Sequence, residues 1–247
     1  MTRRGLFAPL LGAVAAGCAP LVGSREALWR PPEPRRIAEF RYGDDPRQRV
    51  ELWTPATRPT AARPVVVLLD DGRSDDDVDG RELAARGFLV AVADYRRGAD
   101  GRAPAAIADA AAAAALVADL CASHGGDPDR LAVIGRGGAA PAVLMIALDR
   151  RYMAAVEAPE TIRAAAALGG PFAFPAFGPG PDRTLTQPRG YVRGDAPPLW
   201  LAPKADAAAE ADDLRLRVRA AGGRCETAPY GEPVLTELCA FLDRTLS

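Results

Sequence analysis

The run Gly125-Gly126-Asp127-Pro128-Asp129-Arg130-Leu131-Ala132-Val133-Ile134-Gly135-Arg136-Gly137-Gly138-Ala139-Ala140 decides the fold. Glycine, aspartate and proline over 125–130 mark a loop. The apolar run from Leu131 to Ile134 marks a short buried strand. The glycines of 135–138 then turn the chain into an apolar helix over Ala140 to Asp149. A buried strand, a tight glycine turn and a helix form one unit of a parallel sheet.

The same unit recurs on both sides. Upstream, Pro64 leads into Val65 to Leu69, a continuous β-branched and leucine run of the kind buried on both sheet faces. Asp75 to Arg86 reads as a helix with acids in its first turn, stopped by Gly87. Phe88 to Ala93 is a strand and Ala105 to Ser123 an alanine-rich helix. Downstream, Ile162 to Leu168 is a strand, followed by a Pro/Gly-rich loop from Gly169 to Pro198. Leu199 to Ala202 (strand), Ala207 to Ala221 (helix), Arg224 to Ala228 (strand) and Pro233 to Leu246 (helix) close the chain. Before all of these, Arg36 to Tyr42 and Arg49 to Trp53 form a hairpin across Gly43-Asp44-Asp45-Pro46. The expected fold is α/β: a mostly parallel sheet opened by an antiparallel hairpin, with helices on both faces and no large cap domain. Its working site belongs at the strands' carboxyl ends.

The chain has 247 residues, with Lys+Arg 31 against Asp+Glu 32 and one histidine. This neutrality excludes a polycationic nucleic-acid binder. Hydrophobic residues at 49% and charged ones at 26% exclude general disorder. The scarce residues carry the information: His124 is the only histidine, Lys204 the only lysine, and the serines are Ser24, Ser74, Ser123 and Ser247. Nucleophilic hydrolysis has few groups to draw on.

The first residues, MTRRGLFAPLLGAVAAGC, have a basic start, an apolar stretch from Gly5 to Ala16 and small residues before Cys18. They read as an export signal over 1–17, too short for a stable bilayer span. Ala15-Ala16-Gly17-Cys18 resembles a bacterial lipoprotein box, which implies a lipidated Cys18, an envelope location and the membrane as a partner. An ordinary cleaved signal giving a soluble periplasmic or secreted protein is the alternative. Arg3-Arg4 loosely resembles a twin-arginine signal. Residues 18–34, ending Pro31-Pro32-Glu33-Pro34, suit an extended tether before a domain over 35–247. With Cys18 lipidated, Cys121, Cys225 and Cys239 allow one internal bridge at most; Cys225 with Cys239 is the better pair, and a fully reduced set is the other reading. No CxxC or Cys/His cluster indicates zinc.

Five stretches resemble the α/β-hydrolase superfamily in its bacterial acetyl-esterase, carboxylesterase and hormone-sensitive-lipase-like branch. They are Tyr42-Gly43 with Asp45-Pro46-Arg47-Gln48-Arg49, Val65 to Leu69, Gly87 to Arg96, Gly125 to Gly135, and Leu168 to Phe174. The loop over 125–130 is the most specific. Ala196-Pro197-Pro198 with a strand and Asp206 resembles the segment that delivers the triad acid. The resemblance implies a Gly-x-Ser-x-Gly elbow, a histidine after the last strand and a His-Gly-Gly-Gly oxyanion loop.

Each of those groups is replaced. The elbow reads Gly135-Arg136-Gly137-Gly138-Ala139, so Gly137 stands at the nucleophile's position with no side chain to offer. The histidine's position falls on Glu232 or Pro233. The oxyanion loop is Asp70-Asp71-Gly72-Arg73, whose carboxylates oppose a developing oxyanion. Asp206 alone is kept. His124 precedes the Leu131 to Ile134 strand and so belongs at the opposite end of the sheet, where Ser123 beside it makes no dyad.

Two further constellations stand beside this reading. Asp75, Asp77, Asp79 and Gly80 match the first half of a calcium loop, but Arg86 holds the place of the bidentate glutamate, and acidic helix capping accounts for the carboxylates. Asp70, Asp71, Asp206 and Glu232, all at carboxyl ends of strands, converge into an acidic crevice unless they are separately solvated, and Arg136 is placed to neutralise one of them. The function expected is therefore an exported esterase-like lipoprotein that has lost serine-hydrolase activity and binds a small molecule or a protein without catalysis. It needs no cofactor and binds no nucleic acid. The alternative is an ester hydrolase rerouted through the acidic crevice, with or without a metal.

Overall fold

Alternating apolar runs and helices build an eight-stranded sheet in a computed structural model that describes residues 33–57, 60–70, 80–97, 103–158, 161–174, 186–231 and 233–247. These fall within the compact unit Pro32–Ser247. The elements in chain order are β1 (Arg35–Arg41), β2 (Arg49–Thr54), β3 (Arg63–Leu69), α1 (Gly80–Ala85), β4 (Leu89–Asp94), α2 (Ala103–Cys121), β5 (Gly126–Arg136), α3 (Ala140–Leu148), α4 (Arg150–Ala155), β6 (Ile162–Leu168), β7 (Leu199–Ala202), α5 (Ala208–Ala220), β8 (Cys225–Thr227) and α6 (Val234–Leu246). The spatial order is β1-β2-β4-β3-β5-β6-β7-β8. β2 runs antiparallel to both β1 and β4. From β4 through β3 to β8 every pairing is parallel, so the expected architecture is found.

The central strands sort their side chains by period two. Val65, Val67, Leu69, Leu131 and Val133 point to the layer of α2, α3 and α5, where they meet Ile107, Val143 and Leu214. Val66, Leu68, Ala132 and Ile134 point to the other layer, against Leu83 of α1 and Leu238 and Phe241 of α6. Fully burying side chains such as Phe241 and Leu238 stabilises by roughly 1.5–3 kcal/mol each. β6 carries alanine at 164–167, and α3 packs on it with all nine residues buried. Among the described helices α2 is apolar and long enough to cross a bilayer. Ten of its residues, Asp109 included, pack into this core instead. The Asp109 carboxylate, 1% exposed, takes the Arg96 guanidinium at 2.6 Å and the Gln48 amide at 2.7 Å, so the buried charge is paired.

Two expectations are corrected, and of the two readings of the cysteines the reduced one is found. Residues 126–130 are the start of β5 and not a loop: Arg63 pairs Gly126, with an irregular register before Val65 and Leu131. The glycine is required there, since a Cβ would lie 2.6 Å from a Leu89 methyl. α4 had no counterpart in the sequence reading; Asp149 caps it by accepting a hydrogen bond from the Arg151 N–H at 3.1 Å. Cys225 and Cys239 are free thiols, as is Cys121. Cys225 belongs to the core layer under α5 and Cys239 to the layer under α6, so the sheet stands between them.

Candidate functional site at the carboxyl ends of the strands

The site is built where β3, β5, β6, β7 and β8 end. β5 finishes at Arg136, and the next residue, Gly137, takes φ +57°, in the left-handed region. A single 3-10 turn, Gly137–Ala139, then feeds α3, with proline in its first turn. Two close approaches hold the turn. A Cβ on Gly135 would lie 2.7 Å from the Ala139 carbonyl oxygen and 2.8 Å from the Ala140 Cα. A Cβ on Gly170 would lie 1.8 Å from the Gly137 carbonyl oxygen, so the segment after β6 lies directly on the turn. This is a sharp strand-to-helix corner, and Gly137 at its apex takes the left-handed conformation without a side chain.

Arg136 at the same corner turns to β3. Its side chain is 6% exposed; its Nη2 donates to Asp70 Oδ2 at 2.5 Å and its Nε to Oδ1 at 3.2 Å. The fork joins the ends of two neighbouring strands and neutralises the Asp70 carboxylate. Of the four acids weighed as a crevice against separately solvated carboxylates, Asp70 is thus in an ion pair. Asp206 is exposed on the 3-10 turn Ala205–Ala207 after β7, at the position expected for the triad acid's segment. Asp71, Gly72, Arg73, Glu232, the calcium-like Asp75, Asp77 and Asp79, and Cys18 lie outside the described residues. Among the described residues no group of three His, Cys, Asp or Glu side chains gathers to hold a metal ion.

His124 is where the sequence places it, before β5 and at the far end of the sheet. Its ring stands edge-on to Phe40 with centroids 5.6 Å apart, and Nδ1 lies 3.0 Å from both the Leu120 carbonyl oxygen and the Ser123 hydroxyl. These contacts lie where α2 ends and before β5 begins.

Two residues of the site were missed by the sequence reading. Tyr230, from the loop after β8, reaches back across the strand ends to Gly169 after β6. A Cβ on Gly169, which has φ +66°, would lie 2.7 Å from the Tyr230 ring and hydroxyl. Lys204, after β7, places its Nζ 5.1 Å from the centre of that ring, a cation–π contact. Gly137, Gly169 and Gly170 thus pack closely at the strand ends, with Tyr230 against Gly169 and Lys204 beside the Tyr230 ring. The signals were present in the sequence: a glycine pair directly after a buried strand, and the only lysine of the chain.

The buried thiols are unsuited to replace serine. Burial pushes Cys225 up to about 12 and Cys239 up to about 11, and raises Cys121 as well.

No protein-family model matches the sequence. Similar solved structures include a truncated carbohydrate esterase from gut microbiota, with TM-score 0.70 at 13% identity over 85% of this chain and 96% of that one. Esterase B from Lactobacillus rhamnosis gives TM-score 0.71 at 18% identity over 90% of each chain. The apo form of Thermogutta terrifontis esterase 2 gives 0.66 at 18% over 88% and 95%. Among curated proteins, the probable isoprenylcysteine alpha-carbonyl methylesterase ICMEL1 of Oryza sativa subsp. japonica is 37% identical over 105 residues, 40% of this chain and 24% of that protein. The enzyme ICME of Arabidopsis thaliana is 31% identical over the same length. The match spans about a quarter of the length of these curated relatives.

Proposed function

We propose, on the premise that the chain has the α/β-hydrolase fold of these esterases, that it is an esterase-like protein which has given up serine hydrolysis and holds a small molecule without covalent chemistry. The observation that carries this reading is Gly137: the elbow keeps its positive φ and its close-packed glycines, yet its apex has no side chain. Acyl transfer needs a nucleophile there and a histidine in reach to take its proton. The only histidine is at the other end of the sheet.

The Tyr230 ring and the Lys204 ammonium, beside the strand ends, are the apolar and charged groups that a bound molecule would meet. The rerouted hydrolase reading has less support, because Asp70 is committed to Arg136. By the lipoprotein-like box, the protein is exported and anchored at the periplasmic face of the envelope through Cys18.

The test is turnover of short-chain nitrophenyl esters by the full chain. No hydrolysis above the uncatalysed rate is expected, with saturable binding of the same esters by calorimetry. Turnover abolished by a chelator would favour the acidic crevice, and turnover insensitive to a chelator would show that another nucleophile serves.

A further inference from the structure

The opposite end of the sheet holds a cavity of about 340 Å³, where the last turn of α3, α4, the start of β6 and the segment before β7 meet. Its apolar lining comes from Ile146, Met153 and Ile162, and its charged lining from Arg150, Arg163, Arg193 and Asp195. Three guanidiniums therefore face one carboxylate. Arg193 is the fixed member. Its side chain is 24% exposed, its Nε and Nη2 donate to the Leu148 and Ala147 carbonyls that end α3, at 3.1 and 3.2 Å, and its Nη1 donates to Asp195 at 2.8 Å. Arg150 also pairs with Asp195, so that carboxylate is shared between two guanidiniums. Arg163 contacts Asp129 at 3.5 Å, and Asp129 is 85% exposed, a weak and solvent-screened pair. Arg150 and Arg163 keep 64% and 46% exposure and have donors to offer an incoming anion.

We infer that this cavity binds a small carboxylate with a short apolar tail, the carboxylate held by Arg150 and Arg163 and the tail against Met153 and Ile162. A planar guanidinium fork matches a carboxylate. Surplus positive charge in a mostly polar lining favours an anion over a neutral molecule, and the edges of Ile146, Met153 and Ile162 offer contact to a short apolar tail. The site is separate from the carboxyl ends of the strands and stands whatever binds there.

Met153 supplies a local probe, because of the two described methionines, Met145 and Met153, it is Met153 that lines this cavity. The full chain labelled with ¹³C-methyl methionine is titrated with octanoate, with octanol and with inorganic phosphate, and Met153→Leu assigns the resonance. Octanoate should shift the Met153 methyl saturably while Met145, in the core of α3, stays in place. Octanol and phosphate should bind at least about tenfold more weakly. The Arg150→Ala/Arg163→Ala double variant, checked by circular dichroism for its fold, should weaken octanoate by about tenfold or more. A Met153 resonance unmoved by octanoate would overturn the inference. So would phosphate binding as well as octanoate, or affinity unchanged in the double variant.

Discussion

The Arg136 guanidinium and the Asp70 carboxylate meet across the ends of β5 and β3 through two hydrogen bonds, at 2.5 and 3.2 Å. Arg136 is the last residue of β5, directly before Gly137, and Asp70 follows the last residue of β3. One ion pair therefore ties together the ends of two neighbouring strands. Removing Asp70 leaves a nearly buried cation with less compensation. Asp70→Ala should cost about 2 kcal/mol in urea unfolding, and Asp70→Leu/Arg136→Met less than the sum of its single changes. Additive single changes would show that the pair does not couple the strands.

Gly137 has φ +57°, where a side chain is strained. Gly137→Ser should lower stability by about 1 kcal/mol and yield no ester hydrolysis, since no histidine stands in reach to activate the new hydroxyl. Melting temperature and nitrophenyl ester assays check both halves. Appreciable turnover by this single variant would reveal a base that has not been recognised.

The thiols of Cys225 and Cys239 are pushed up to about 12 and about 11 by burial, from an ordinary 9.0. The native state keeps protons that the unfolded chain releases, so this contribution to stability is complete below about pH 9 and declines as pH rises above it. Urea unfolding at about pH 7 and about pH 10 should show the decline, and Cys225→Ala/Cys239→Ala should flatten it. At neutral pH the native protein should react slowly with thiol reagents and rapidly once unfolded. Equal rates in the two states would contradict the burial of these groups.

His124 closes α2 and touches Phe40. His124→Ala should cost under about 1 kcal/mol and leave ligand binding at the carboxyl ends of the strands unchanged. Weakened binding there would place the histidine in the working site after all.

Cys18→Ser tests the anchor. The proposal is that this change moves the protein from the membrane fraction to the soluble fraction of the envelope, and unchanged partitioning would count against lipidation.

The central fold was legible because its signals are local. Val65 to Leu69 and Ile162 to Leu168 are apolar runs of strand length, and Gly87, at φ +110°, ends α1 where the helix was expected to stop. α4 was not legible: six residues give too little periodicity, and its cap, Asp149, reads as the end of the preceding helix. The early start of β5 was hidden because Asp127-Pro128-Asp129 has turn composition, while pairing with Arg63 extends it into the sheet. The site's contacts are long-range. Asp70 and Arg136 are 66 positions apart, and which acid Arg136 neutralises is fixed by the geometry of the folded chain. Tyr230 over Gly169 is the same kind of case: glycine at 169 makes room for a ring that the sequence places in a different loop.

The most direct measurement of the central claim is the intact mass of the full chain after exposure to a fluorophosphonate, a reagent that bonds covalently to an activated serine. With Gly137 at the elbow apex and His124 at the far end of the sheet, the predicted result is an unchanged mass. An adduct at stoichiometric yield, mapped to any serine of the chain, would contradict the loss of serine hydrolysis.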